Sequence, residues 1–246
     1  MKKKMPMNKD IAAKIAATLL DCAGIETLIT ASEDYTGGND VPQLNALCSV
    51  WRALRNTVSI LTDNSLMNQK TANTIFDAGI DAMSQLKSVG GPIAYEILEE
   101  IFCTFYCIVF KNYVTKKYFR GKNILSKCLE VLKRNGLWTF ESREGLMQEA
   151  TEFFDYCCEA NLLDNSSDYE MILPLLVIAL KKCPSNDEIR KNALSMMNRS
   201  CSTINDKKII ERSGALEVLV ALLASDDTND EAEKDTVRTL IGKIVA

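Results

Sequence analysis

The chain has 246 residues, of which 47% are hydrophobic and 25% are charged, so it is long enough and apolar enough to bury a core. Its net charge of −4 argues against nonspecific nucleic-acid binding, which depends on neutralising phosphates. Histidine is absent, and with it the commonest general base and metal ligand. We therefore expect a protein that is not an enzyme, with no catalytic residues, no metal site and no cofactor.

The cysteine pattern indicates a reducing compartment. Nine cysteines are spaced irregularly, several of them inside apolar runs, which is typical of core thiols in a cytoplasmic or nuclear protein. The closest pairs, Cys103 with Cys107 and Cys157 with Cys158, lack the C-x-x-C spacing of zinc and redox sites. The apolar runs 101–110 and 171–180 are about half the length that spans a bilayer, so no membrane span is predicted.

Sparse glycine and proline and the absence of sustained strand alternation predict an all-α protein. In chain order, a first predicted unit covers residues 8–62. Its first helix meets Gly24, where the chain turns directly into a second helix. After a polar loop, a third helix begins at Pro42, which suits a first helical turn because its missing N–H needs no partner there.

The second predicted unit covers residues 63–111. It begins at the capping cluster Asp63-Asn64-Ser65 and turns between two helices at Gly79, in the same way as the first unit turns at Gly24. The sequence Gly90-Gly91-Pro92 then breaks the chain before a third helix.

Three further units follow the same plan, at residues 112–159, 160–202 and 203–246. The third unit turns at Gly121, and its next helix stops at Asn135-Gly136. The fourth has a degraded first helix at 160–163. The fifth turns at Gly214, between a helix that ends near Arg212 and a strongly apolar helix.

Three helices recurring about every 45 residues are typical of a stacked-repeat protein. The segments that carry the pattern best are 68–86 and 205–223, with Ala-Leu-rich third helices at 50–56 and 188–199. On these segments the sequence resembles armadillo repeats. The resemblance implies one armadillo-like domain over residues 1–246, a right-handed superhelical α-solenoid of about five three-helix repeats.

In the armadillo family, the third helices line a concave groove that takes extended peptides, and two positions four residues apart on each helix face that groove. Residues at i and i+4 share one helical face. Carried over residue by residue, the resemblance assigns the groove to Arg52, Asn56, Cys103, Cys107, Glu152, Tyr156, Ser195, Arg199 and Arg238, with Gly242 beside the last. The three arginines favour an acidic or phosphorylated segment, because guanidinium binds carboxylate and phosphate bidentately. The alternative is that they are ordinary solvated charges.

The expected function is that of a non-enzymatic protein–protein interaction scaffold or adaptor. One alternative is an armadillo-like regulatory domain of a larger protein, of the formin type or the chaperone nucleotide-exchange-factor type. Another is importin-like cargo binding, although only Asn56 matches the Trp and Asn ladder of those proteins. Trp51 stands one position early and is expected to pack inward. The chain ends on a third helix without a polar cap, which favours self-association through that edge or continuation into further repeats.

A second candidate site is a basic stretch interleaved with aromatic residues, a composition that binds nucleic acid or anionic membranes. Its basic residues are Lys111, Lys116, Lys117, Arg120 and Lys122. The simpler interpretation is a first helix of the third unit, with Tyr113, Tyr118 and Phe119 packed inward and the lysines solvated.

Overall fold

The structure is a computed structural model that describes residues 24–35, 40–86, 89, 91–134, 144–163, 165–200, 204–225 and 231–245. Within these ranges the chain forms twelve α-helices and no strand, so the predicted all-α class is confirmed. The predicted first helix before Gly24 and the predicted stop at Asn135-Gly136 lie outside the described residues. The chain divides into two compact units, Met1–Thr115 and Lys116–Ala246. The single armadillo-like domain over residues 1–246 stays a prediction.

The first unit contains four described helices, α1 (Gly24–Tyr35), α2 (Val41–Asp63), α3 (Gln69–Gln85) and α4 (Pro92–Phe110). Helix α2 packs along α4, and α1 contacts both α2 and α3. The largest fully buried side chains include Trp51, Phe76, Phe102 and Phe105. The inward packing predicted for Trp51 is therefore confirmed, and the two long helices share one aromatic core.

Short polar residues start the helices of this unit. Asp40 accepts a hydrogen bond from the Gln43 amide at 2.8 Å, and Pro42 lies in the first turn of α2 as predicted. The N-cap of α3 is Asn68, whose side chain accepts from the Thr71 amide at 2.9 Å. The prediction that Asp63-Asn64-Ser65 caps the second unit is therefore wrong. Those residues end α2 instead, because the Asn64 amide bonds back to carbonyls of that helix.

Gly79 is buried in the middle of α3, and the turn predicted there is wrong because α3 runs unbroken through it. The reason for a glycine is close packing. A Cβ at this position would lie 2.5 Å from Cζ of Phe105 and 3.1 Å from the Trp51 ring. Phe105 itself stacks on Phe76 with ring centroids 4.0 Å apart. Glycine here lets an aromatic ring touch the helix backbone, and it does not turn the chain.

The second unit contains eight described helices: α5 (Lys116–Gly121), α6 (Ile124–Arg134), α7 (Glu144–Glu159), α8 (Asn165–Lys182), α9 (Asp187–Ser200), α10 (Ile204–Arg212), α11 (Ala215–Ala224) and α12 (Glu231–Val245). Helix α9 packs between α7 and α12, and α8 contacts α9, α10 and α11. The predicted third helices of units three to five, α7, α9 and α12, therefore lie side by side.

Turns in the second unit follow the sequence signals only in part. The predicted turn at Gly214 is confirmed, since this residue has a φ of 79°, in the left-handed region that glycine adopts easily. After α5, which ends at Gly121, the left-handed residue is Asn123, with a φ of 54°. The helix predicted at 160–163 is wrong: α7 ends at Glu159, and these residues form a turn in which Asn161 has a φ of 54°.

Candidate functional site

All nine predicted groove residues lie on the helices predicted to be third helices of their units, which are α2 and α4 in the first compact unit and α7, α9 and α12 in the second. Asn56, Arg199 and Arg238 are exposed, as is Arg52. The other five are half-buried: Cys103, Cys107, Glu152, Tyr156 and Ser195. Each helix therefore brings its predicted residues at least partly to the surface, and the groove that would join them stays a prediction.

In the first unit, Arg52 is part of a charged bridge between α2 and α4. Its Nε donates to Oε1 of Glu100 at 2.8 Å, while Nη1 of Arg55 lies 2.8 Å from Oε2 of the same carboxylate. The Glu100 side chain is only 8% exposed. A carboxylate so far removed from water needs a paired cation, so the two arginines compensate for its burial.

In the second unit, Arg199 makes the corresponding bridge from α9 to α7. Its Nη1 lies 3.1 Å from Oδ1 of Asp155, and its Nη2 donates to Glu159 at 2.5 Å. Burial raises the pKa of Asp155, and the charge of Arg199 and a hydrogen bond from Ser195 oppose that shift. Between α9 and α12, Lys243 Nζ contacts Oδ1 of Asn198 at 2.5 Å.

Arg238 lies on the surface of α12 and pairs within its own helix. Its Nη1 is 2.6 Å from Asp235 and 3.6 Å from Glu231, and its side chain remains 54% exposed. Each of the three predicted groove arginines is thus paired with a carboxylate of the same chain. They do not form a row of uncompensated positive charges.

Glu99 on α4 is half-buried beside two other carboxylates. Burial raises its pKa above the ordinary 4.5, and the charges of Glu100 and Glu96 raise it further, against the opposing charges of Arg55 and Arg52. The folded chain therefore holds this proton more tightly than the unfolded chain. The stabilising contribution of the protonated Glu99 carboxyl is present below pH 4.5 and is lost as the pH rises through the raised pKa of this group.

Substituting Glu99→Gln should therefore raise the melting temperature at pH 7.5, because it removes a carboxylate that is costly to ionise there. The expected rise is about 1–2 °C, since substitutions at partly exposed positions rarely change the free energy of unfolding by more than about 0.5 kcal/mol. At pH 4 the difference should vanish, because glutamine resembles the protonated acid. Calorimetry at both pH values measures this, with Glu217→Gln on the exposed side of α11 as the matched control. If the Glu99 variant changes the melting temperature equally at both pH values, the pKa of Glu99 is not raised in the folded chain.

The predicted basic residues divide between the two units. Lys111 follows α4 in the first unit, with its Nζ 4.9 Å from the ring centroid of Phe110. In the second unit, Lys116 Nζ donates to the Leu163 carbonyl at 3.4 Å, and Arg120 pairs with Asp168 at 2.6 Å. Lys117 is exposed beside them.

Lys122 lies over the Tyr118 ring, with its Nζ 5.9 Å from the ring centroid. Of the three aromatic residues expected to face inward, Phe119 is buried, whereas Tyr113 and Tyr118 are half-buried. The inward packing is thus complete for the phenylalanine alone.

An apolar groove of about 450 Å³ lies between the end of α8 and α11. Leu180, Pro184, Val218 and Leu222 line it, with Lys181 and Glu217 at its edge. None of the predicted site residues lies here. Its walls come from helices that look like ordinary core elements in the sequence, so only the packing reveals it.

Sequence reasoning also missed the carboxylates that pair with the arginines. Arg52 and Glu100 are 48 residues apart, and Arg199 and Asp155 are 44 apart. Opposite charges placed about one predicted period apart, on helices predicted to be equivalent, would have been the signal.

No helix among the described residues is long and apolar enough to cross a bilayer. Within the same ranges, no group of three or more Cys, Asp or Glu side chains is arranged to hold a metal ion.

No family model matches the chain, and no curated protein matches it. A crystal structure described as an engineered protein is similar over 97% of this chain and 99% of its own length, with a TM-score of 0.51 and 15% sequence identity. At that identity the likeness concerns the fold alone, and it agrees with an all-helical architecture.

Proposed function

We propose that the chain is a non-enzymatic scaffold or adaptor of the cytoplasm or nucleus. In this proposal it is an armadillo-like solenoid that binds an extended, acidic segment of a partner protein across its third helices. The observation that carries the proposal is the side-by-side packing of equivalent helices within each unit, α2 with α4 and α9 with α7 and α12. Surfaces held in this way lose little conformational entropy on binding.

The paired arginines retain capacity for such a segment. A guanidinium carries five N–H donors, and the intrachain carboxylates use only some of them. Arg52 and Arg238 also keep about half of their side-chain surface exposed, at 51% and 54%. A partner carboxylate would therefore share each cation with Glu100 or Asp235, so binding should weaken steeply with salt.

The direct test uses exposed positions of the third helices that do not support the core. Asn56→Glu combined with Arg238→Glu should abolish capture of a specific partner that the wild type retains, measured by pull-down and mass spectrometry. A matched control, Thr74→Glu combined with Lys208→Glu, changes the net charge equally at exposed positions of α3 and α10. Loss in the control as well, or unchanged capture by the first variant, would refute the use of this face.

The same measurement separates the alternatives. An armadillo-like regulatory domain of a larger protein, of the formin or chaperone nucleotide-exchange-factor type, would capture the regulatory partner of that protein, which is a chaperone in the second case. Importin-like binding would capture basic cargo, and of the ladder residues for that mode only Asn56 stands in this chain.

A further inference from the structure

The segment 116–133 differs sharply in charge from the rest of the chain. It carries six Lys or Arg residues and a single acidic residue, Glu130, which gives it a net charge of +5. Since the whole chain carries −4, the other residues together carry −9. This segment forms α5, the following turn and nearly all of α6. Positive charge is therefore concentrated on one small part of an acidic protein.

The folded structure brings this charge to the surface. In α6 the buried side chains belong to six positions, and the opposite face presents Ser126, Lys127, Glu130 and Lys133. The buried positions are Ile124, Leu125, Cys128, Leu129, Val131 and Leu132. Helix α5 packs against α6. We call Lys116, Lys117, Lys122, Lys127 and Lys133 together the basic surface.

Three of the five lysines of this surface make no ion pair with a described residue. Within the described part of the chain, the ammonium groups of Lys117, Lys127 and Lys133 form no ion pair with a carboxylate. Arg120, in contrast, is held to Asp168 at 2.6 Å. A cavity of about 50 Å³ lies beside that pair and is also lined by Asn123 and Ser126. The arginine thus has a carboxylate partner, whereas Lys117, Lys127 and Lys133 have none among the described residues.

Three observations select the class of partner. No large hydrophobic side chain is exposed on α5 or α6, so the surface has nothing to insert into a membrane. Phe119 is buried and Tyr118 lies half-buried near Lys122, so α5 and α6 themselves offer no open aromatic platform for bases. A nucleic-acid strand that extends beyond the surface would also meet the rest of the chain, which carries a net charge of −9. A short acidic peptide avoids all three difficulties.

We propose that the basic surface binds a short segment of a partner protein that is rich in Asp and Glu. Helix α6 has 11 residues and is about 16 Å long, which matches about five residues of extended chain. None of the residues involved lies on a third helix, so this site is independent of the face proposed above. The attraction comes from several lysines acting as point charges, and it therefore selects for charge density rather than for one sequence.

The test is fluorescence anisotropy of the full chain with a labelled acidic peptide of roughly ten residues, alternating Glu and Gly, at about 0.05 M salt. The wild type should bind it, and Lys117→Glu combined with Lys133→Glu should weaken binding at least about tenfold, because each change reverses a charge. Glu130→Lys, which replaces the carboxylate that lies among these lysines on α6, should tighten binding. Raising the salt to about 0.3 M should weaken it.

The control variant is Lys70→Glu combined with Lys182→Glu, two exposed lysines of α3 and α8. It alters the net charge by the same amount as the test variant, and its affinity for the peptide should lie within about twofold of the wild-type affinity. Circular dichroism should show that both double variants are folded. The proposal is overturned if the wild type does not bind the peptide or if the control loses as much affinity. It is also overturned if single-stranded RNA or phosphatidylserine vesicles compete for the labelled peptide more strongly than the unlabelled peptide does.

Discussion

Replacing Gly79 by leucine is expected to lower the free energy of unfolding by about 3 kcal/mol or more, a fall of roughly 6–12 °C in melting temperature. A Cβ at this position already lies within 2.6 Å of two Phe105 ring atoms. The ring cannot easily move away, because Phe105 is fully buried and stacked on Phe76. The larger side chain must therefore displace α4 from α3 or leave the core.

Alanine provides the sharper comparison. Gly79→Ala gains about 1 kcal/mol of helix propensity but still meets the Phe105 ring, so a net loss of about 1 kcal/mol is expected. Gly242→Ala is the matched control, since a Cβ there meets nothing within 4 Å and the position is exposed on α12. It should stabilise by about 0.5–1 kcal/mol. If urea denaturation shows that Gly79→Ala stabilises equally, the close contact with Phe105 does not exist in solution.

Arg190→Met is expected to cost about 3–4 kcal/mol, since it leaves a poorly solvated carboxylate without its cation. The Arg190 side chain is only 4% exposed and makes three contacts of 2.6 Å, to Glu233, Asp187 and the Pro184 carbonyl. Glu233 belongs to α12 and is itself 16% exposed. The arginine thus joins the first turn of α9 and the preceding loop to α12.

A second substitution separates the loss of the ion-pair attraction from the cost of leaving the Glu233 carboxylate unpaired. Combining Arg190→Met with Glu233→Leu should restore most of the stability, because a buried ion pair and an apolar pair of similar size are often equivalent. Arg238→Met, which removes an exposed cation paired within one helix, should change stability by less than about 0.5 kcal/mol. A double variant no more stable than the single one would show that Glu233 is not the group that Arg190 neutralises.

Much of the helix pattern is readable from local chemistry. Pro42 in a first helical turn and Gly214 in a tight turn act through their own backbone, and no distant residue is needed to interpret them. The all-α class follows from composition and periodicity in the same way, and the burial of Trp51 is expected because the resemblance places it one position before the predicted groove face. Signals of this kind depend on residues a few positions apart, and a sequence displays them directly.

The wrong predictions concern residues whose role depends on contacts with residues far away in the sequence. Gly79 has the same neighbours in sequence as a turn glycine, but its role is set by Phe105, 26 positions later. The ion pairs of the candidate face were missed for the same reason. The sequence shows Arg52 and Arg199, but it does not show that Glu100 and Asp155 fold against them. That the predicted groove residues lie on helices and reach the surface could therefore be anticipated, whereas their electrostatic environment could not.

The ion pairs and hydrogen bonds that join α2 to α4, α7 to α9 and α9 to α12 have a further consequence, for how the chain folds. Arg52 with Glu100, Arg199 with Glu159, and Lys243 with Asn198 are separated by 48, 40 and 45 residues. The entropy of closing a loop grows only slowly with its length, and each of these loops is of similar, moderate length. Each contact can form as soon as one further stretch of that length has left the ribosome. Assembly during synthesis can therefore proceed stepwise from the N-terminus, because each contact can form once the later of its two residues has been synthesised.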